Sequence, residues 1–174
     1  MKISPAEIEN YPGYFIRRLQ QMAVALFADE VQDWGITPVQ YAALSAVSRH
    51  PGMDQRTLAQ QIHFDTSTIG SVIDRLEARA WLERRLSPQD RRVRLLHATP
   101  EGLALLRKAE PAVLRVQQRI LAPLPAGQRT QFVQSMMALV AAWDADAASE
   151  VPASALADVQ GTRKRGRPAR ARSS

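Results

Sequence analysis

The stretch from Asp54 to Ala98 constrains this chain more than any other, because its pattern changes period twice in 45 residues. Asp54 offers a short side-chain acceptor that can satisfy the free N–H groups of a helix over Gln55–Ile62. Leu58, Ala59 and Ile62 give that helix one apolar side. Asp65, Thr66 and Ser67 then offer a second cap. Beyond them Ile69, Val72, Ile73 and Leu76 recur at i, i+3, i+4 and i+7, one buried stripe at helical period.

The opposite face of this second helix carries Thr66, Ser67, Thr68, Gly70, Ser71 and Arg75. Small hydroxyls and a glycine allow close approach to another surface. Hydroxyls can bond base edges or phosphates, and arginine can do either bidentately. Two helices joined by a short turn, the second bearing such a face, form the helix-turn-helix pattern. An ordinary solvated helix face would read the same way, so the next segment decides.

That segment is a two-stranded hairpin. Leu82 and Leu86 alternate with Arg84 over Trp81–Leu86, Ser87-Pro88-Gln89-Asp90 is turn chemistry, and Val93 and Leu95 alternate with Arg92 and Arg94 on the return strand. Arg91, Arg92 and Arg94 therefore crowd the hairpin tip. Arginines on a protruding ribbon suit the narrow, electronegative minor groove. Helix, helix and wing make a winged helix-turn-helix.

The residues Asp65-x-Ser67-Thr68-Ile69, Asp74-Arg75-Leu76-Glu77, Trp81-Leu82-Glu83-Arg84, Asp90-Arg91-Arg92 and Thr99-Pro100-Glu101-Gly102, in this order, resemble the MarR family of transcriptional regulators. The resemblance covers roughly residues 11–146. It implies a mainly α fold with a small β wing, a helical dimerisation region, and a homodimer that binds palindromic double-stranded DNA until a small ligand releases it. It also implies that Arg92 is the usual minor-groove contact, and that Asp74 pairs with a wing arginine, Arg91, to hold the hairpin against the helix.

Composition narrows the class further. A chain of 174 residues can build one domain with a real core. No apolar run approaches the roughly 20 residues that span a bilayer, and no signal-peptide core follows Met1, so a cytoplasmic, nucleoid-associated protein is expected. The absence of Cys excludes peroxide sensing through a reactive thiol. Six of the 23 basic residues lie in 161–174, which holds no acid; the other 17 match the 17 acidic residues, so residues 1–160 are net neutral.

Taken in order, the chain suggests fraying or a surface position through Asn10, then a helix from about Pro12 to Trp34 ended by Gly35. Phe15, Leu19, Met22 and Leu26 form its stripe, widened by Ile16, Ala23 and Phe27. Thr37-Pro38 starts a second helix with Leu44 and Val47 inward, stopped by Pro51-Gly52. After the wing, Thr99-Pro100 begins a helix lined by Leu103, Leu106, Val113, Val116 and Ile120, which Pro111 should kink or interrupt. A last helix spans about 126–145, with Phe132, Val133, Met136, Leu139, Val140 and Trp143. The first and last helices are too apolar for a lone small domain, and a second subunit is their natural cover. The division is thus a MarR-type domain over 11–146, with its winged part at about 37–98 and its dimerisation helices at about 12–34 and 100–145.

Residues 147–174 read as a disordered linker and basic tail. Arg165-Gly166-Arg167-Pro168 resembles the AT-hook, in which arginines lie along an A·T minor groove with no guanine amino group on its floor. A generic basic tail gripping any phosphate backbone explains the same residues.

No catalytic constellation emerges: His50, His63 and His97 share no metal-ligand spacing, and no phosphate loop or nucleophile elbow is present. No enzyme, cofactor or metal is expected. An architectural, weakly sequence-specific DNA-binding protein without an inducer is the alternative to an operator-specific regulator. For the ligand, the family resemblance implies a site between dimerisation helices and winged domain. Tyr14 and Arg18, one helical turn apart, with Tyr41 and His50, would suit a small aromatic carboxylate: rings stack and arginine grips the carboxylate in a fork. Arg18 in an intersubunit salt bridge and His50 as a helix cap are the competing explanations. Pro12-Gly13-Tyr14-x-Ile16-Arg17-Arg18-Leu19 is similar to a MarR subgroup of NicR-type nicotinate-degradation repressors, which implies 6-hydroxynicotinate as a first compound.

Deleting residues 161–174 removes six cations and no anion. Nonspecific DNA affinity should fall, and log affinity against log salt should flatten by up to about 0.9 for each phosphate that is no longer neutralised. The ranking of operators should survive. A fluorescence-anisotropy salt titration checks this; an unchanged slope would mean that the tail does not touch DNA.

Overall fold

The computed structural model describes residues 8–149. After a single 3-10 turn, α1 runs over Pro12–Glu30 and α2 over Pro38–Arg49. Then come β1 (Met53–Asp54), α3 (Gln55–Gln61), α4 (Ile69–Ala78), β2 (Leu82–Leu86), β3 (Arg94–Ala98) and α5 (Pro100–Leu121). These form one unit; α6 (Ala126–Ser149) belongs to a second and is described by itself. The architecture is mainly α with one small antiparallel sheet, as the sequence pattern suggests.

The helix starts follow from their caps. Thr37 and Gln40 form a reciprocal capping box around Pro38, with the Gln40 N–H donating to Thr37 Oγ1 at 3.3 Å and the Thr37 N–H donating to Gln40 Oε1 at 3.0 Å. Asp54 Oδ1 accepts from the Thr57 N–H at 2.7 Å. Thr99 Oγ1 accepts from the Gly102 N–H at 3.0 Å, and its hydroxyl donates to the Ala80 carbonyl at 2.6 Å. The start of α5 is thereby fastened to the end of α4.

The core packs α2, α4 and the sheet around Leu44, Val47, Leu58, Ile69, Ile73, Leu76, Leu82 and Leu96, all essentially without exposure. Burying a Leu or Ile side chain contributes about 1.5–3 kcal/mol. The four positions of the α4 stripe are all buried. On the far side of the unit, α5 lies against α1, where Arg115 and Arg119 pair with Glu30, and Arg119 also with Asp29. Hydrogen bonds from Arg115 and then Arg119 hold the Glu30 carboxyl below its ordinary pKa.

Several details depart from the sequence reading. The sheet has three strands in the order β1-β3-β2, not two: Met53 and Asp54 pair with Leu96 and Leu95. A two-residue strand carries no period to read. In β3 the buried residue is Leu96, not Leu95, since Leu96 faces the core. At the tip end Leu86 is 46% exposed. Helix α1 stops at Glu30 rather than Trp34, because the chain tightens into turns after Val31; Gly35 (φ +55°) lies beyond the helix end. Along α5 the buried line is Gly102, Leu105, Ala109, Ala112 and Val116, while Leu103 is outward; weighting large residues hides the small ones that pack closest. Helix α5 also runs through Pro111 without interruption, because Pro111 is on the exposed side, where water can satisfy the carbonyl it leaves unpaired. Helix α6 continues four residues past the expected end at Ala145, to Ser149. Met136, Met137, Leu139, Val140 and Trp143 are exposed on it. The expected fraying before Ile8 and the basic tail lie outside the described residues.

Gly102 is the tightest point. A Cβ built there would lie 2.0 Å from the Trp81 carbonyl oxygen and 3.2 Å from Leu44 Cδ1. Helix propensity alone would favour alanine by about 1 kcal/mol. The backbone clash should reverse that sign, and Gly102→Ala should destabilise by about 1–3 kcal/mol or more. Urea unfolding followed by circular dichroism reads the difference; an equal or higher midpoint would show that the close approach yields.

Candidate nucleic-acid interface

The turn between α3 and α4 is short and closed. The Phe64 N–H donates to the Ala59 carbonyl at 2.8 Å, and His63 takes a left-handed conformation (φ +50°). Asp65 then organises the entry to α4. Its Oδ1 accepts from the Ser67 N–H at 2.8 Å, the Thr68 N–H at 3.1 Å and the Ser67 hydroxyl. Those bonds, the Ser67 hydroxyl first, hold its carboxyl below the ordinary value.

Thr66, Ser67, Thr68, Ser71 and Arg75 are all exposed, on the side opposite the buried stripe. Three of the hydroxyls donate inward: Ser67 to Asp65 Oδ1, Thr68 to the Asp65 carbonyl at 3.2 Å, and Ser71 to the Thr68 carbonyl at 2.9 Å. Their oxygens keep acceptor capacity toward solvent. Apart from Arg75 and the Thr66 hydroxyl, this surface is therefore better prepared to receive hydrogen bonds than to give them.

An open groove of roughly 510 Å³ adjoins this face, lined by Gln55, Arg56, Gln60 and Thr66. Gln55 lies over Gly70, where an added Cβ would meet its amide at 3.4 Å. Sequence reasoning passes over Gln55, Arg56 and Gln60; a cation in the first turn of the preceding helix is the available signal.

The wing is shaped by two side chains. Ser87, buried to 7% exposure, accepts from the Gln89 and Asp90 N–H groups at 3.3 Å and donates to Gln89 Oε1 at 3.0 Å. Its own N–H closes the loop onto the Val93 carbonyl at 3.0 Å. Asp90 Oδ1 accepts from the Arg92 N–H at 2.9 Å, fixing the backbone beneath that side chain. Arg91, Arg92 and Arg94 are exposed there.

The expected pairing of Asp74 with Arg91 is not what holds the wing. Arg84 takes that role: its guanidinium bonds Asp74 and Glu77, and its N–H donates to Glu77 Oε1 at 3.2 Å. Position 84 faces α4 at the root of the hairpin, whereas Arg91 is out on the tip. Burial disfavours the Arg84 cation, but the bonds to Asp74 and Glu77 outweigh this and raise its pKa. At the end of α4, Arg79 stacks 3.9 Å from the Trp81 ring centroid and donates to the Gly35 carbonyl at 2.9 Å.

The four residues expected at a ligand site lie on α1 (Tyr14, Arg18), on α2 (Tyr41) and at its C-terminal cap (His50). Tyr41 is half-buried, its ring edge-on to Phe27 at 6.0 Å. Burial first and the charge of Glu110 second raise its phenol pKa, so Tyr41 stays a hydrogen-bond donor. Tyr14 is half-buried beside Phe15, with Arg17 at 5.4 Å from its ring. Arg18 and His50 are exposed. A groove of roughly 230 Å³ between α1, α5 and the start of α2 is lined by Ala23, Phe27, Pro38, Val116 and Ile120 among others, and by none of the four. Arg165 and Arg167 lie outside the described residues.

Known proteins share this arrangement. The sequence model of the MarR family matches residues 34–93. A Thauera aromatica protein assigned to transcriptional regulation of the hcr operon is 36% identical over 122 residues, spanning 70% of this chain and 74% of that protein. The transcriptional regulator PcaV of Streptomyces coelicolor, crystallised with its natural ligand, superposes with a TM-score of 0.72 at 36% identity, covering 80% of this chain and 99% of PcaV. Bordetella bronchiseptica BpsR, whose DNA binding is regulated by 6-hydroxynicotinic acid, gives 0.73 at 27% identity, covering 79% and 98%. The chain belongs to the MarR family of winged helix-turn-helix transcriptional regulators.

Proposed function

We propose that this protein is a homodimeric repressor that binds a palindromic operator and is released by a small aromatic carboxylate. The observation that carries the reading is the pairing of two readers on one packed unit: the hydroxyl-and-arginine face of α4, and an arginine tip whose backbone Asp90 fixes. A twofold dimer would set two α4 helices in successive major grooves, roughly 34 Å apart. Second-copy cover is needed by the exposed Phe15, Ile16 and Leu19 of α1, and by the exposed apolar residues of α6. The winged part then spans about 37–98, the dimerisation helices are α1, α5 and α6, and the basic residues of 161–174 form a tail beyond them. Within that tail, Arg165 and Arg167 add AT-hook-like minor-groove contacts.

Of the α4 readers only Arg75 is long and charged, so direct readout is sparse and DNA shape supplies much of the specificity. Arg91 and Arg94 steady the ribbon on phosphates while Arg92 enters the minor groove. Arg92→Ala should cost about 1–3 kcal/mol on the operator, roughly 5- to 150-fold in affinity. Unchanged operator affinity with the dimer intact would rule this contact out.

For the effector, Tyr14 and Tyr41 supply rings, and Arg18 and His50 supply carboxylate partners across the assembled dimer. The likeness to BpsR makes 6-hydroxynicotinate the first compound to test. Release requires the ligand to favour a dimer whose half-site spacing no longer matches the operator, because equal affinity for both states shifts nothing. Calorimetry with a panel of aromatic acids, with and without operator, should find one that binds and lowers operator affinity. Arg18→Ala should abolish that response. The effector assignment fails if no aromatic acid does both, or if Arg18→Ala and His50→Ala leave the response intact.

A further inference from the structure

The geometry points to Arg84 as a positioning residue for DNA recognition: it does not touch DNA but sets the spacing between the α4 face and the wing tip. This rests on the DNA-reading roles proposed above for those two elements. Asp74 and Glu77 sit three residues apart, hence on one side of α4, next to the face that carries Ser71 and Arg75. Arg84 spans both carboxylates with its guanidinium, and Glu77 also receives the main-chain N–H of Arg84. The bond from side chain to backbone fixes β2 along its own axis, which a guanidinium contact alone would not do. The Arg84 side chain is 21% exposed, whereas Asp74 is 67% and Glu77 40% exposed, so the cation lies beneath the acids, against the helix.

The sheet carries this constraint outward. Arg84 is opposite Leu96, and the pair Leu86 with Arg94 is the last rung before the loop that holds Arg91 and Arg92. The clamp is therefore inside the lever it steadies. Other ties at the tip, through Ser87 and Asp90, are internal to the loop and set its shape but not its distance from α4. A second effect comes with the first. Two carboxylates on a DNA-facing helix would repel phosphates, and one cation between them offsets much of that charge. The two effects make opposite predictions for variants that delete charge without restoring the tie.

The chain contains no Cys, so Ser71→Cys with Gln89→Cys places one spin label on α4 and one on the wing, without background. In the DNA-free protein, with labelled subunits diluted in excess unlabelled protein so that each dimer carries one labelled copy, pulsed electron paramagnetic resonance should give one narrow distance distribution, and a clearly broader one once Arg84→Met is added. Arg84→Lys keeps the charge but cannot fork across both acids, and should broaden it too. An unchanged distribution in both variants overturns the inference. On DNA, Arg84→Met without the labels should lose at least about tenfold in operator preference over random DNA. Hydroxyl-radical protection at the wing flank should weaken while methylation protection of major-groove guanines persists. The triple variant Arg84→Met/Asp74→Asn/Glu77→Gln should recover nonspecific affinity but not preference. Recovery of preference would reduce Arg84 to charge neutralisation and overturn the positioning role. If the parent protein itself shows no preference for any palindrome, the operator-binding reading fails, while the DNA-free distances still decide what Arg84 holds.

Discussion

Burial of the α4 stripe is the constraint on which the rest depends. Ile69, Ile73 and Leu76 are without exposure, packed with Leu44 and Val47 of α2 and with Leu82 and Leu96 of the sheet. A helix so locked on one face has its other face dictated. Ser71 and Arg75 are exposed because Val72 and Leu76 are not. The same packing brings β2 alongside α4, close enough for Arg84 to reach Asp74 and Glu77. The exposed α4 face and the pairing of Arg84 with α4 thus follow from one hydrophobic stripe and the 3.6-residue period that generates it.

Legibility in the sequence tracks how regular the underlying physics is. The α4 stripe, the caps at Thr37, Asp54 and Thr99, and the Ser87–Asp90 turn are readable because each is a local rule with a fixed offset. Misreadings come where local rules lose to tertiary packing. Leu95 and Leu96 are both apolar, and only the pairing of β3 between two strands decides which one faces inward. Ala109 and Ala112 carry little hydrophobic signal, yet they are fully buried in α5. Pro111 reads as a breaker because its effect depends on what faces the unpaired carbonyl, which a sequence does not display. The Asp74 partner falls on the wrong arginine because charge complementarity ranks candidates by sign, and reach along a strand ranks them by geometry.

The residues proposed for the effector are legible in a different sense. Tyr14, Arg18, Tyr41 and His50 stand out by chemistry and by resemblance, and a single chain leaves Arg18 and His50 in solvent. Tyr41 is the exception, since burial and Glu110 already tune its phenol within one chain. Its environment is fixed within the single chain.

The close approach at Gly102 sets the kinematics of the winged unit. With the Trp81 carbonyl where a side chain would otherwise stand, and with Thr99 bonded to both Ala80 and Trp81, the first turn of α5 is seated like a ball in a socket. The first turn of α5 is thus fixed to the segment that joins α4 to β2, so the long helix and the two elements that carry Arg75 and the wing share one anchoring point.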